Sequence, residues 1–168
     1  ELGICRVYTR NYIGVDAPVI NASGRYVLLT SKRDLTLSGE SFNTNNLYLS
    51  TTGSINGSVK SDGGVISLYA QKGIGSADNF FGIAGSSTYS LGSEGDVYLK
   101  TSSPVELAYL SGELVTIDSR EGTLSPHENG TIGPNIVGRR INFYGDLDTG
   151  LGFRTFGTSE AEGGLHWY

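Results

Sequence analysis

Along most of this chain, apolar and polar residues alternate over short stretches, the period-two signature of a strand with one side buried and the other wet. Such stretches run from Tyr26 to Thr30, Leu35 to Leu37, Leu47 to Leu49, Val65 to Tyr69, Val97 to Leu99, Leu114 to Ile117, Ile141 to Tyr144 and Leu165 to Trp167. Polar, glycine-bearing turns separate them, among them Thr51-Thr-Gly53, Asp62-Gly-Gly64, Gly92-Ser-Glu-Gly95 and Arg120-Glu-Gly122.

The alternation carries a repeat. Ile4-Cys-Arg-Val-Tyr-Thr-Arg-Asn-Tyr-Ile-Gly14, Ile66-Ser-Leu-Tyr-Ala-Gln-Lys-Gly-Ile-Gly75 and Ile141-Asn-Phe-Tyr-Gly-Asp-Leu-Asp-Thr-Gly150 are versions of one phrase, with Tyr8, Tyr69 and Tyr144 at matching places. Equivalent apolar positions fall about 20 residues apart: Leu29 to Leu49, Leu49 to Leu68, and Leu99 to Ile117. Leu68 to Leu99 and Ile117 to Phe143 are longer, as inserted loops would make them. A period near 20 residues that tolerates insertions is expected of a β-solenoid, whose coils stack at about 4.8 Å around one apolar column. An antiparallel sandwich also needs many short strands, but has no need for the same phrase at the same point of a cycle. The tyrosines are expected to form a stacked ladder. Gly14, Gly75 and Gly150 are expected to close turns where a positive φ or a close approach between coils excludes a Cβ.

Composition agrees. With 168 residues and 38% hydrophobic content the chain can fill one core, and 25 Gly, 10 Tyr and no Met favour strand and turn over helix. The net charge of −5 and the absence of any Lys/Arg stripe argue against a nucleic-acid partner, because phosphate binding draws on clustered cations. The one cysteine, Cys5, excludes an internal disulfide and reads as a small apolar residue of the first strand. No apolar run approaches the ~18 residues that span a bilayer. A start at Glu1 without Met suggests a piece of a longer, processed protein.

Val65-Ile-Ser-Leu-Tyr-Ala-Gln-Lys-Gly-Ile-Gly-Ser-Ala-Asp-Asn79 followed by Gly95-Asp-Val-Tyr-Leu99 resembles repeats of the filamentous-haemagglutinin-like large exoproteins. Ile13-Gly-Val-Asp-Ala-Pro-Val19 and Asp34-Leu-Thr-Leu37 are similar to the same units. The resemblance implies a right-handed parallel β-helix, here of seven or eight coils forming one unit over residues 1–168. It also implies the passenger of a secreted or cell-surface bacterial adhesin, exported by an outer-membrane partner transporter. The Asn-Pro-Asn secretion signature is missing, and the repeat loosens toward Trp167-Tyr168, so no binding residue of the family carries over.

Chemistry is sparse. Asp148-Thr-Gly150 is the aspartic-protease triplet, but such enzymes need two, and one copy at a repeat turn reads as structure. Asp146 and Asp148 lack the regular further ligands of a calcium site, so neither metal nor cofactor is expected. Asn21-Ala-Ser23, Asn56-Gly-Ser58 and Asn129-Gly-Thr131 are chance-level sequons in a chain this rich in Asn, Ser and Thr. His127 and His166 lie far apart, Asp62, Asp78 and Asp96 stand singly, and no catalytic residue is assigned. The candidate contact residues are aromatic: Phe80-Phe81 in the segment read as an insertion between Gly75 and Gly95, with Tyr89 and Tyr109. The plain alternative is that Phe80 or Phe81 plugs the core. The expected function is a non-enzymatic adhesin shaft whose loops meet a glycan or protein receptor on a host or neighbouring cell. The shaft of a contact-dependent toxin-delivery protein is a variant of that reading, and a carbohydrate-active β-helix enzyme is the alternative.

Overall fold

A computed structural model describes residues 4–8, 19–23, 26–43, 46–127, 135–145 and 155–161, with side chains over 26–37, 46–127 and 135–145. The described residues are all β, without helix. The strands are β1 (Ile4–Tyr8), β2 (Val19–Ser23), β3 (Tyr26–Ser31), β4 (Leu35–Asn43), β5 (Asn46–Thr51), β6 (Ser54–Lys60), β7 (Val65–Ala70) and β8 (Gly73–Ile74). They continue with β9 (Phe81–Ala84), β10 (Thr88–Ser93), β11 (Asp96–Thr101), β12 (Val105–Asp118), β13 (Leu124–Pro126), β14 (Ile136–Tyr144) and β15 (Thr155–Ala161).

Every strand pairing is parallel, and the partners lie one coil apart in sequence, which makes the chain a β-solenoid. The residues with described side chains make about five turns. A first ladder joins β1, β3, β5, β7, β10 and the start of β12. A second runs through the start of β6, β8, the start of β11 and the ends of β12 and β14. The third joins the end of β6, β9 and the end of β11. Long strands such as β12 bend from one ladder into the next.

Period-two alternation decides which side chains enter the column. In the first ladder Val27, Leu47, Ile66, Tyr89 and Leu107 stack in register, and beside them Leu29, Leu49, Leu68, Leu91 and Leu110. The second ladder contributes Ile55, Ile74, Val97, Val115 and Ile141, and the third Val59 and Ile83. All are buried. Removing each of these side chains from water stabilises the fold by about 1.5–3 kcal/mol.

Polar groups fasten the corners. The hydroxyls of Ser31, Thr51 and Ser93 accept hydrogen bonds from the amides of Arg33, Gly53 and Gly95, two residues on, at 3.0–3.1 Å. Thr51 Oγ1 also donates to Arg33 O, and Ser93 Oγ donates to Ala70 O, each reaching back one coil. Carboxylates work in the other direction: Asp34 Oδ1 accepts from Ser54 N at 2.7 Å, and Asp96 Oδ1 from Leu114 N at 3.2 Å. These corners thereby satisfy backbone and side-chain groups that would otherwise be left without partners, whereas the buried Thr101 Oγ1 at the end of β11 has none among the described residues.

The pairings Leu29 to Leu49 to Leu68, Leu99 to Ile117, and Ile117 to Phe143 agree with the spacing in the sequence. The interval from Leu68 to Leu99 does not. Leu68 pairs with Leu91, in a regular strand of the same ladder, whereas Leu99 belongs to another side of the coil. The inserted piece is therefore only 75–80, a tight excursion in which Ser76 and Asn79 exchange backbone hydrogen bonds at 2.9 and 3.1 Å. Gly75 opens it with φ +68°, and a Cβ there would stand 2.7 Å from Phe81 N and collide with Tyr98 O. Gly14, Gly150 and the strand expected at Leu165 to Trp167 lie outside the described residues. Tyr69 and Tyr144 do not form a ladder: Thr30 and Ser50 separate Tyr69 from the Tyr8 rung, and Tyr144 lies beside Asp118 in the second ladder.

Candidate functional site

The same alternation that fills the column also sets what faces solvent. On the first ladder the outward residues form three files: Tyr26, Asn46, Val65, Thr88 and Glu106; Leu28, Tyr48, Ser67, Ser90 and Tyr109; Thr30, Ser50, Tyr69, Gly92 and Ser111. Leu28, Tyr48, Val65, Tyr69 and Tyr109 are 36–43% exposed, and among the described residues these are the exposed large apolar side chains. All five lie on this one outer face. Gathering them on one side of the coil makes this face the candidate contact surface, since scattered single exposed apolar residues are ordinary.

Gly92 follows Tyr69 in its file, and a Cβ there would stand 3.6 Å from Tyr69 Cδ2, in ordinary contact with the ring. Tyr69 Oη donates to Glu94 Oε1 at 2.7 Å, and Gln71 Nε2 donates to Glu94 Oε2 at 3.3 Å. The bond to Glu94, with lesser help from burial and from the carboxylate charge, raises the Tyr69 pKa and keeps the phenol neutral. On the opposite margin Glu106 Oε2 lies 2.7 Å from His127 Nδ1 and 3.4 Å from the Thr88 hydroxyl, which donates to it.

The aromatic residues singled out in the sequence do not come together. Phe81 pairs with Leu99 and points into the column, fully buried. Tyr89 is also fully buried, between Ile66 and Leu107, with its hydroxyl donating to Ala84 O. Burial pushes its pKa up to about 12. Neither can touch a partner, because strand parity turns both inward. Phe80 is half-buried at the base of the 75–80 excursion, edge-on to Tyr98 with ring centroids 5.6 Å apart. Only Tyr109 of the four lies on the exposed face. Leu28, Tyr48, Val65 and Tyr69 were missed, although a signal existed: consecutive apolar residues such as Val27-Leu-Leu29 and Leu47-Tyr-Leu49 put one apolar side chain outward between two inward ones.

A second feature is a cleft of about 360 Å³ at a corner, lined by Asp96, Glu113, Leu114, Arg139 and Arg140. Both carboxylates are engaged: Asp96 with Leu114 N, and Glu113 Oε1 with Arg139 Nε at 2.7 Å. Nearby in the second ladder, the Arg120 guanidinium pairs with Asp118 and lies 5.9 Å over the Tyr144 ring. That pairing holds the Asp118 carboxyl below its ordinary range. Among the described residues no three His, Cys, Asp or Glu side chains group as a metal site. Asp146, Asp148 and His166 lie outside the described residues.

No protein-family model, no curated protein and no solved structure matches the chain.

Proposed function

We propose that this chain is a segment of a secreted or surface-exposed bacterial adhesin, a rigid non-enzymatic shaft that meets its receptor through the outer face of the first ladder. The observation that carries this reading is the gathering of Leu28, Tyr48, Val65, Tyr69 and Tyr109 on one outer face of a β-solenoid. A stack of parallel coils is stiff and quasi-one-dimensional, which suits a structure that projects a contact surface away from its anchor. The likeness of Gly95-Asp-Val-Tyr-Leu99 and its companion phrases to filamentous-haemagglutinin-like repeats supports the same reading, and brings with it export by an outer-membrane partner transporter. Winding is right-handed, as parallel crossovers almost always are. The registers of β1 against β3 and of β15 against β14 support seven or eight coils in all.

The test is adhesion of the purified chain to cells. Tyr48→Ala combined with Tyr109→Ala abolishes it while the β-sheet circular dichroism spectrum is unchanged; full adhesion by the folded double variant would reject the face. The alternative, a carbohydrate-active enzyme, would work in the Asp96 and Glu113 cleft. Release of reducing ends from a polysaccharide, abolished by Glu113→Gln, would favour it over adhesion.

A further inference from the structure

We infer that the outer face of the first ladder binds an uncharged polysaccharide chain lying along the solenoid axis, across the strands, with sugar rings stacked on Tyr48, Tyr69 and Tyr109. This rests on the reading of that face as the contact surface and names the chemistry of its partner.

Shape comes first. The face is the outer side of a parallel sheet crossing β3, β5, β7, β10 and β12, and such an open surface gains affinity from a ligand long enough to touch several rungs. Tyr48 and Tyr109 share one file with Ser67 and Ser90 between them, three rungs apart, or about 14 Å at ~4.8 Å per rung. One rung is close to the length of one pyranose unit, so an extended chain can keep step with the coils. Tyr69 stands one rung from Tyr48 in the neighbouring file.

The face mixes aromatic rings and hydroxyls. Ring faces of tyrosine stack on the C–H faces of pyranoses, and the intervening Thr30, Ser50, Ser67, Ser90 and Ser111 offer hydroxyls that both donate and accept, as sugar hydroxyls require. The core of a protein interface would instead gather contiguous apolar side chains. Here Ser67 and Ser90 stand between Tyr48 and Tyr109 along the file, although Leu28 pairs directly with Tyr48.

Charge selects among glycans. Residues 26–31, 46–51, 65–70, 88–93 and 105–111 contain no Lys or Arg, and Glu106 is their one charged residue; charges of both signs flank them, Lys32 and Arg33 after β3, Lys72 after β7 and Glu94 after β10, and β1 brings Arg6 into register with Leu28. Along the stretch from Tyr48 to Tyr109 a uronate or sulfated chain would find no cation on the strands themselves and one carboxylate, Glu106, at their margin. An uncharged chain meets neither penalty.

The experiment is isothermal titration of the full chain with cellohexaose, xylohexaose, mannohexaose and laminarihexaose, against hexagalacturonate and a heparin hexasaccharide. At least one uncharged hexasaccharide binds, its disaccharide binds at least tenfold more weakly, and neither acidic chain binds. Tyr48→Ala with Tyr109→Ala weakens binding about tenfold or more, whereas Tyr48→Phe, which keeps the ring, retains it within about twofold. Absence of binding by every uncharged hexasaccharide, equal binding of an acidic one, or full affinity in the double alanine variant overturns the inference. Cell adhesion by the same double variant separates the two readings. Adhesion lost without any sugar binding rejects the glycan and leaves the face with a protein partner; adhesion retained rejects the face itself.

Discussion

Two tyrosines of the first ladder, Tyr89 and Tyr48, stand on opposite sides of the same sheet and answer to different physics. Tyr89 occupies a rung of the inner column where its neighbours are Ile66 and Leu107, and its phenol is tolerated there because the hydroxyl finds Ala84 O. Tyr48 lies between Leu28 and Ser67 on the outer side, 43% exposed. On the inner side every residue is completed by the coils above and below, so size and polarity are dictated by the stack. On the outer side the stack dictates almost nothing, as the file Leu28, Tyr48, Ser67, Ser90, Tyr109 shows. Strand propensity does not account for the tyrosines, since threonine or valine would serve as well. In the second ladder the outward Tyr98 is partly covered by Phe80. The uncovered tyrosines of the first ladder have no such packing reason.

The comparison breaks most severely at two adjacent residues. Leu47→Asp sets an uncompensated carboxylate in the column and is expected to cost about 4 kcal/mol or more, enough to unfold the stack or lower its urea midpoint steeply. Tyr48→Asp, one residue along the same strand, is expected to change stability by no more than about 0.5 kcal/mol. Similar losses in both would mean that the two sides of the ladder are not distinct.

Much of the fold is legible in the sequence, and the reason is repetition. Leu29, Leu49 and Leu68 advertise their register because each sits in a strand with two or more inward aliphatics. The rung at Thr88–Ser93 is hidden: its inward residues are Tyr89 and Leu91, its outward ones serine, threonine and glycine, and a lone tyrosine in such a setting reads as exposed. Losing that rung turned a six-residue excursion into an apparent insertion reaching Gly95, and drew Phe81 out of the core with it. The exposed apolar face is harder still to read. Whether Leu28 or Leu29 points outward depends on the phase of the alternation, and phase is fixed only when the neighbouring coils are in place.

The phenylalanine pair sharpens the same contrast at smaller amplitude. Phe81→Ala empties a fully buried site and is expected to destabilise by about 3–5 kcal/mol, whereas Phe80→Ala loses an edge-on contact with Tyr98 and is expected to cost about 1 kcal/mol. Thermal or urea unfolding of the two single variants distinguishes them. Equal effects would place both rings in the core, and a negligible effect of Phe81→Ala would contradict its inward parity.

The smallest effect expected is also the one that reads the inner side by pH. Tyr89→Phe keeps the ring but removes the donor to Ala84 O, a loss of about 1 kcal/mol at neutral pH. In the folded chain burial pushes the Tyr89 pKa up to about 12 from its ordinary 10.0, so folding favours the neutral phenol. That contribution is complete below pH 10 and is lost as pH rises toward 12, because the unfolded chain releases the proton first. The variant has no phenol at this position, and Tyr69 and Tyr98, whose pKa values are also raised, are present in both proteins and cancel in the difference. The stability gap between wild type and Tyr89→Phe should therefore narrow as pH rises from about 10 toward 12 when urea midpoints are compared. A gap that stays constant across that range would mean that the Tyr89 hydroxyl ionises as readily in the folded coil as in water, and that the inner side of the ladder is wetter than its burial requires.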